Sequence, residues 1–122
     1  MKVFELRIGN WIEGVDGICQ ITEILKNGVN VTNPDDTPPH YFDWIEPIPL
    51  TEEWLLKFGF ENKGRILSSD VISYVNKFGA EVRHYTEYRF FIPELRTGIW
   101  IQYIHQLQNL YFALTGEELT IH

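Results

Sequence analysis

From Ile99 to Leu119 the chain changes its period. Ile99, Ile101 and Tyr103 alternate with Trp100, Gln102 and Ile104, and a repeat of two belongs to a strand, whose successive side chains point to opposite faces. From His105 the repeat lengthens. Leu107, Leu110, Tyr111 and Leu114 recur at i, i+3, i+4 and i+7, the spacing that aligns side chains on one stripe of a helix. Gly116 follows where a left-handed C-terminal residue is favoured, so a helix is expected over 105–115. A strand running straight into an amphipathic helix leaves two apolar faces to cover, and a helix this short does not stand alone in water. The rest of the chain must supply sheets to cover them.

Residues 1–50 read as short strands separated by tight turns. Leu6 and Ile8 flank Arg7, Gly9-Asn10 has turn chemistry, and Trp11-Ile12-Glu13 resumes an extended run before Gly14 and Asp16-Gly17. Ile18, Ile21 and Ile24 follow. Their spacing of three breaks strict alternation and predicts a bulge or a sharp bend. Asn27-Gly28 is a hairpin signal, with Val29 and Val31 alternating beyond it. Three prolines within Asn33–Pro39 withhold backbone donors and mark an exposed loop. Tyr41–Trp44 reads as one helical turn and Ile45–Ile48 as a last strand. Such a run of strands predicts a small SH3-like β-barrel, which removes its free edges by curling.

Pro47 and Pro49 stiffen the exit from this lobe. Thr51 is a good N-cap, Glu52 and Glu53 suit the positive end of a helix, and Trp54, Leu55 and Phe58 form an apolar stripe. Gly59 stops the helix, with Phe60 closing back onto Leu55. A helix over 52–58 has two turns and needs a sheet beneath it. Residues 61–104 read as a second β region, with strands at Arg65–Leu67, Ala80–Tyr85, Tyr88–Ile92 and Ile99–Ile104. Asp70–Phe78 has helix-like boundaries in Ser69 or Asp70 and Gly79, but its β-branched and aromatic residues favour a strand. The fold class is therefore α+β. An SH3-like lobe over 1–50 precedes an α+β lobe over 51–122 that holds the short middle helix, antiparallel strands and the C-terminal helix.

Aromatic residues make up 15% of the chain, a high share for 122 residues. Rings fill small cores efficiently, and they are also enriched at the centres of interfaces. The net charge of −7, from ten Lys and Arg against seventeen Asp and Glu, is a poor supply for neutralising phosphates. It suits solubility or a basic protein partner. The lone Cys19, between Ile18 and Ile21, reads as a small buried hydrophobe, with no disulfide or thiolate metal cluster to form. No apolar run is long enough to span a bilayer, and the N-terminus lacks a signal-peptide core, so a cytoplasmic protein is expected.

Chemistry-bearing patterns are absent from the sequence. His40, His84, His105 and His122 show no metal-ligand spacing, and the adjacent acids Asp35-Asp36, Glu52-Glu53 and Glu117-Glu118 do not face one another. No nucleophile elbow, phosphate-binding glycine loop or dinucleotide fingerprint occurs. Neither catalytic residues, nor a metal, nor a cofactor is assigned. The candidate contact surface is the mixture Arg83, Tyr85, Tyr88 and Arg89, with His84 close by and a tryptophan beside it on the sheet face.

Three segments carry a resemblance. His105–Leu119 (HQLQNLYFALTGEEL), Leu6–Ile12 (LRIGNWI) and Ile45–Phe60 (IEPIPLTEEWLLKFGF) are similar to segments of a family of short phage and prophage proteins of Bacteroides-type bacteria. The resemblance implies a mobile-element origin and a bacterial cytoplasm. It implies no activity, ligand or catalytic residue. The expected function is non-enzymatic binding of a protein partner or of a second copy. The alternative is a nucleic-acid or nucleotide binder using a barrel face and the strands around Arg83 and Arg89. A hydrolase built from dispersed residues would need a polar pocket pairing His84 or His105 with a carboxylate.

Overall fold

The computed structural model describes residues 6–14, 17–26, 28–32, 40–42, 45–67, 69–85, 89–93 and 100–121, with the side chains of 40–42 and 89 outside that description. The described residues are mixed α+β, forming two antiparallel four-stranded sheets and two helices. The chain divides into two compact units, Met1–Pro49 with Tyr103–Glu117, and Leu50–Gln102 with Glu118–His122.

In the first unit, β1 (Trp11–Gly14), β2 (Gly17–Ile24), β3 (Val29–Thr32) and β4 (His40–Phe42) pair in chain order. Their inner face buries Ile12, Cys19, Ile21, Val29 and Val31 beside Leu6 and Ile45. The expected irregularity in β2 is present: the register shifts between Ile21 and Glu23. That one extra residue lets Ile21 pair with Val31 and Ile24 with Val29, so two isoleucines three apart serve one face. The hairpin expected at Asn27-Gly28 closes with Leu25 N–H donating to Gly28 O at 2.8 Å, Asn27 lying outside the described residues. So do the 33–39 loop, Asp43 and Trp44.

Three segments depart from local expectation. Leu6–Ile8 is no strand, because the Asn10 side chain accepts from Arg7 N–H at 2.7 Å while Asn10 N–H donates to Arg7 O at 3.0 Å, turning the chain. Tyr41 and Phe42 belong to β4 rather than a helical turn; pairing with Asn30 and Val29 outweighs local preference. Ile45–Ile48 is not a continuous strand. Glu46 makes an isolated bridge to Glu13 of β1, with both N–H···O bonds formed at 2.8 and 2.9 Å. The described strands form an open sheet rather than a closed barrel.

The helix α2 (Ile104–Thr115) is in this first unit, whereas the sequence groups 105–115 with residues 51–122. Hydrogen bonds explain the difference. Gln108, only 1% exposed, accepts from Trp11 N–H at 2.9 Å and donates to Gly9 O at 3.0 Å. Asn10 Nδ2 donates to Asn109 Oδ1 at 2.8 Å, and Arg7 Nε donates to the same oxygen at 3.2 Å. The buried stripe is accordingly Ile104, Leu107, Gln108 and Tyr111, while Leu114 is 46% exposed. At the start of α2, Ile104 N–H reaches Ile48 O at 2.9 Å and Gln106 Oε1 accepts from Tyr103 N–H at 3.1 Å. Gly116 ends the helix at φ 75°.

In the second unit, α1 (Glu52–Lys57) begins with Thr51 Oγ1 accepting from Trp54 N–H at 3.4 Å. It ends as expected, with Phe60 N–H donating to Leu55 O and Gly59 N–H to Leu56 O, both at 3.0 Å, around a Gly59 at φ 88°. The sheet runs β5 (Glu61–Arg65), β6 (Ile72–Val75), β7 (Glu81–Tyr85), β8 (Arg89–Phe91). Asp70–Phe78 thus holds a strand, β6. The expected strand at 65–67 lies earlier, in the exposed, polar β5, where no apolar alternation marks it. Leu67 instead turns the chain at φ 52°, a left-handed conformation that disfavours a leucine. The strand expected over 99–104 shrinks to isolated bridges, Ile101 to Phe90 and Tyr103 to Pro49, Ile99 being outside the described residues.

Candidate contact surface on the second sheet

Strand alternation sorts the candidate residues. Along β7, Val82 and His84 point to the inner face, where Val82 is buried, while Glu81, Arg83 and Tyr85 point outward. His84 is therefore not a neighbour of Arg83 in one basic patch, as its sequence position suggested. Its ring lies flat on Phe90, with centroids 4.1 Å apart and planes 7° apart.

On the outer face Arg83 is already paired. Its Nε donates to Glu81 Oε2 at 3.0 Å and its Nη2 to Oε1 at 3.4 Å, while Ser73 Oγ donates to Oε2 at 2.6 Å. Burial raises the Glu81 pKa, but the hydrogen bonds from Arg83 and Ser73 and the charge of Arg83 outweigh it, holding the carboxyl below its ordinary value. The guanidinium is thereby largely neutralised. Beside it, Tyr85 (44% exposed) meets Phe91 at 5.7 Å and Trp100 (39% exposed) at 6.0 Å. Phe91 and Trp100 stand edge-to-face at 5.7 Å and 87°. Geometry of this kind is attractive by about 0.5–1.5 kcal/mol per pair, so the three rings hold one another in place with two of them facing solvent.

The backbone register sets Arg89 opposite Tyr85, and Arg83 opposite Phe91. Tyr88 lies outside the described residues, as does the Arg89 side chain. Sequence reasoning missed Phe91, and it offered Trp100 only as one of four candidate tryptophans, with Trp11, Trp44 and Trp54. Their signal was present: Phe91 follows Arg89 at the strand period, and Trp100 alternates with the buried Ile101.

The remaining polar groups sit elsewhere. His105 is buried, its ring parallel to Tyr103 at 5.9 Å, and Cys19 is buried with its Sγ 3.8 Å from Ile12 O. Among the described residues no three His, Cys, Asp or Glu side chains converge as a metal site, and no helix is long and apolar enough to cross a membrane.

The segments Leu6–Ile12, Ile45–Phe60 and His105–Leu119 each hold the fold together. Arg7, Gly9, Asn10 and Trp11 meet Gln108 and Asn109, and Ile45–Phe60 supplies the Glu46 bridge, the Thr51 cap and the closure at Phe60. Compared with protein-family models, curated proteins and solved structures, the chain matches none.

Proposed function

We propose that this chain is a non-enzymatic binding protein of phage or prophage origin, acting in a bacterial cytoplasm. It docks another protein chain, or a second copy, on the outer face of β7 and β8. The observation that carries this reading is the exposed ring trio Tyr85, Phe91 and Trp100. Clustered aromatic side chains form the anchors of protein interfaces, because each buries a large area while losing little side-chain freedom. The pairing of Arg83 with Glu81 favours a protein over a nucleic acid, since phosphate binding draws on uncompensated positive charge. The return of Glu46 onto β1, beside the bulged β2, supports an SH3-like curl of residues 1–50 as part of the same reading.

A photo-crosslinking residue placed at Tyr85 or Trp100 tests it, with exposed Glu53 as the control site. A defined crosslinked species at the ring positions and none at Glu53 is the expected result. Tyr85→Ser with Trp100→Ser is expected to weaken that association by ~2 kcal/mol or more, roughly thirtyfold, as truncated interface anchors do. Equal crosslinking at all three sites, or a monomer that instead carries nucleotide through gel filtration, overturns the reading.

A further inference from the structure

Tyr74 and His84 share the inner face of the second sheet, and Glu52 at the start of α1 bonds the first of them. Tyr74 of β6 is fully buried, and its hydroxyl donates to Glu52 Oε2 at 2.7 Å, tying the sheet to the first turn of α1. Burial first, and then the Glu52 hydrogen bond and charge, push the phenol well above its ordinary value, so it stays a donor. His84 lies diagonally across from Tyr74 on the same face, since Tyr74 pairs with Val82 and Ile72 pairs with His84. Its imidazole is stacked on Phe90, and its buried Nε2 has no hydrogen-bond partner among the described residues.

We propose that His84, Glu52 and Tyr74 form an acid-sensitive clasp between α1 and the second sheet. With His84 neutral, the ring stays on Phe90 and the Glu52 carboxylate holds Tyr74. When His84 takes a proton from solvent, both ring nitrogens carry N–H groups, and the one at the buried Nε2 needs an acceptor. Glu52 is the acceptor of opposite charge, and a carboxylate drawn toward the imidazolium competes with its own hold on Tyr74. Among the described residues, Ile72 on β6 and Phe90 on β8 carry no charge, and Glu81 and Arg83 of β7 point to the opposite face. The titratable groups facing His84 are therefore Glu52 from α1 and Tyr74 from β6.

The sign follows from the environment. Burial lowers the His84 pKa, and the Glu52 charge offsets this only in part, leaving the group below its ordinary 6.5. The unfolded chain then binds the proton more readily than the folded one. Stability is complete above pH 6.5 and falls as the pH drops toward the folded value.

The test has two parts. Histidine ring resonances, followed by NMR against pH, report His84 directly, with Glu52→Gln as the comparison. His84 is expected to titrate below 6.5 in the wild-type chain and lower still in Glu52→Gln. Urea unfolding of the wild type and His84→Phe at pH 7.5 and 5.5 reports the energetic link. The wild-type unfolding constant is expected to rise as the pH falls, by up to roughly tenfold for each pH unit by which the folded group lies below its ordinary value. His84→Phe, which keeps the ring stack, is expected to lose that component. A His84 resonance titrating at or above the ordinary value overturns the clasp, even if the variant fails to fold. So does an equal pH response in a folded His84→Phe.

Discussion

Gln108 joins the helix α2 to the first sheet by satisfying Trp11 N–H and Gly9 O from a position only 1% exposed. Replacing it with leucine keeps the volume and removes both partners. Each buried backbone group left without a partner costs about 1–3 kcal/mol. Gln108→Leu is therefore expected to cost about 3 kcal/mol in urea unfolding, with an unchanged denaturant slope, although every hydrophobicity argument favours the leucine. That contrast explains how much of the helix the sequence made legible. The 3.6-residue period located α2 and Gly116 located its end, but counting apolar residues moved the stripe toward Leu110 and Leu114. A buried glutamine is visible only once its acceptor and donor, 99 and 97 residues earlier in the chain, are known. At the candidate site the same holds: Tyr85 and Arg83 are named by composition, while the Arg83–Glu81 pair and the Trp100 contact depend on strand register.

Elements whose ends are fixed by local chemistry were readable. Thr51, Gly59 and Phe60 bound α1 as their side chains and backbone freedom dictate, and the bulge in β2 follows from isoleucines three apart. Thr51→Ala is expected to destabilise the chain by about 1 kcal/mol through loss of the cap, with Thr51→Asp retaining most of the stability; thermal unfolding by circular dichroism measures both. Elements fixed by distant pairing were not readable. β4 exists because β3 accepts it, β5 is polar throughout, and the 99–104 segment finds two different partners instead of one.

Across the whole molecule, charge is divided unevenly. Residues 1–49 with 103–117 hold nine Asp and Glu against three Lys and Arg, while the remainder holds eight against seven. The first unit thus carries nearly all of the −7. Screening relieves such self-repulsion, whereas the exposed Lys57–Glu53 and Lys63–Glu61 pairs that salt also weakens contribute little. The midpoint of thermal unfolding is expected to rise by a few degrees between about 10 and about 200 mM sodium chloride. A fall would show that the attractive pairs dominate.

Because α2 belongs with β1 through β4, the first unit joins residues 1–49 to residues 103–117, across the strands of the second unit. On a translating ribosome, the glycine carbonyl and tryptophan amide that await Gln108 are synthesised nearly a hundred residues before it. The first sheet must emerge with one edge of its core unsealed, while the strands of the second unit can pair as soon as they leave the tunnel. Nascent chains ending before residue 104, and tethered through a linker long enough to bring them out of the tunnel, should accordingly be protected from protease in their middle and open at their start. The order of maturation is the reverse of the order of synthesis.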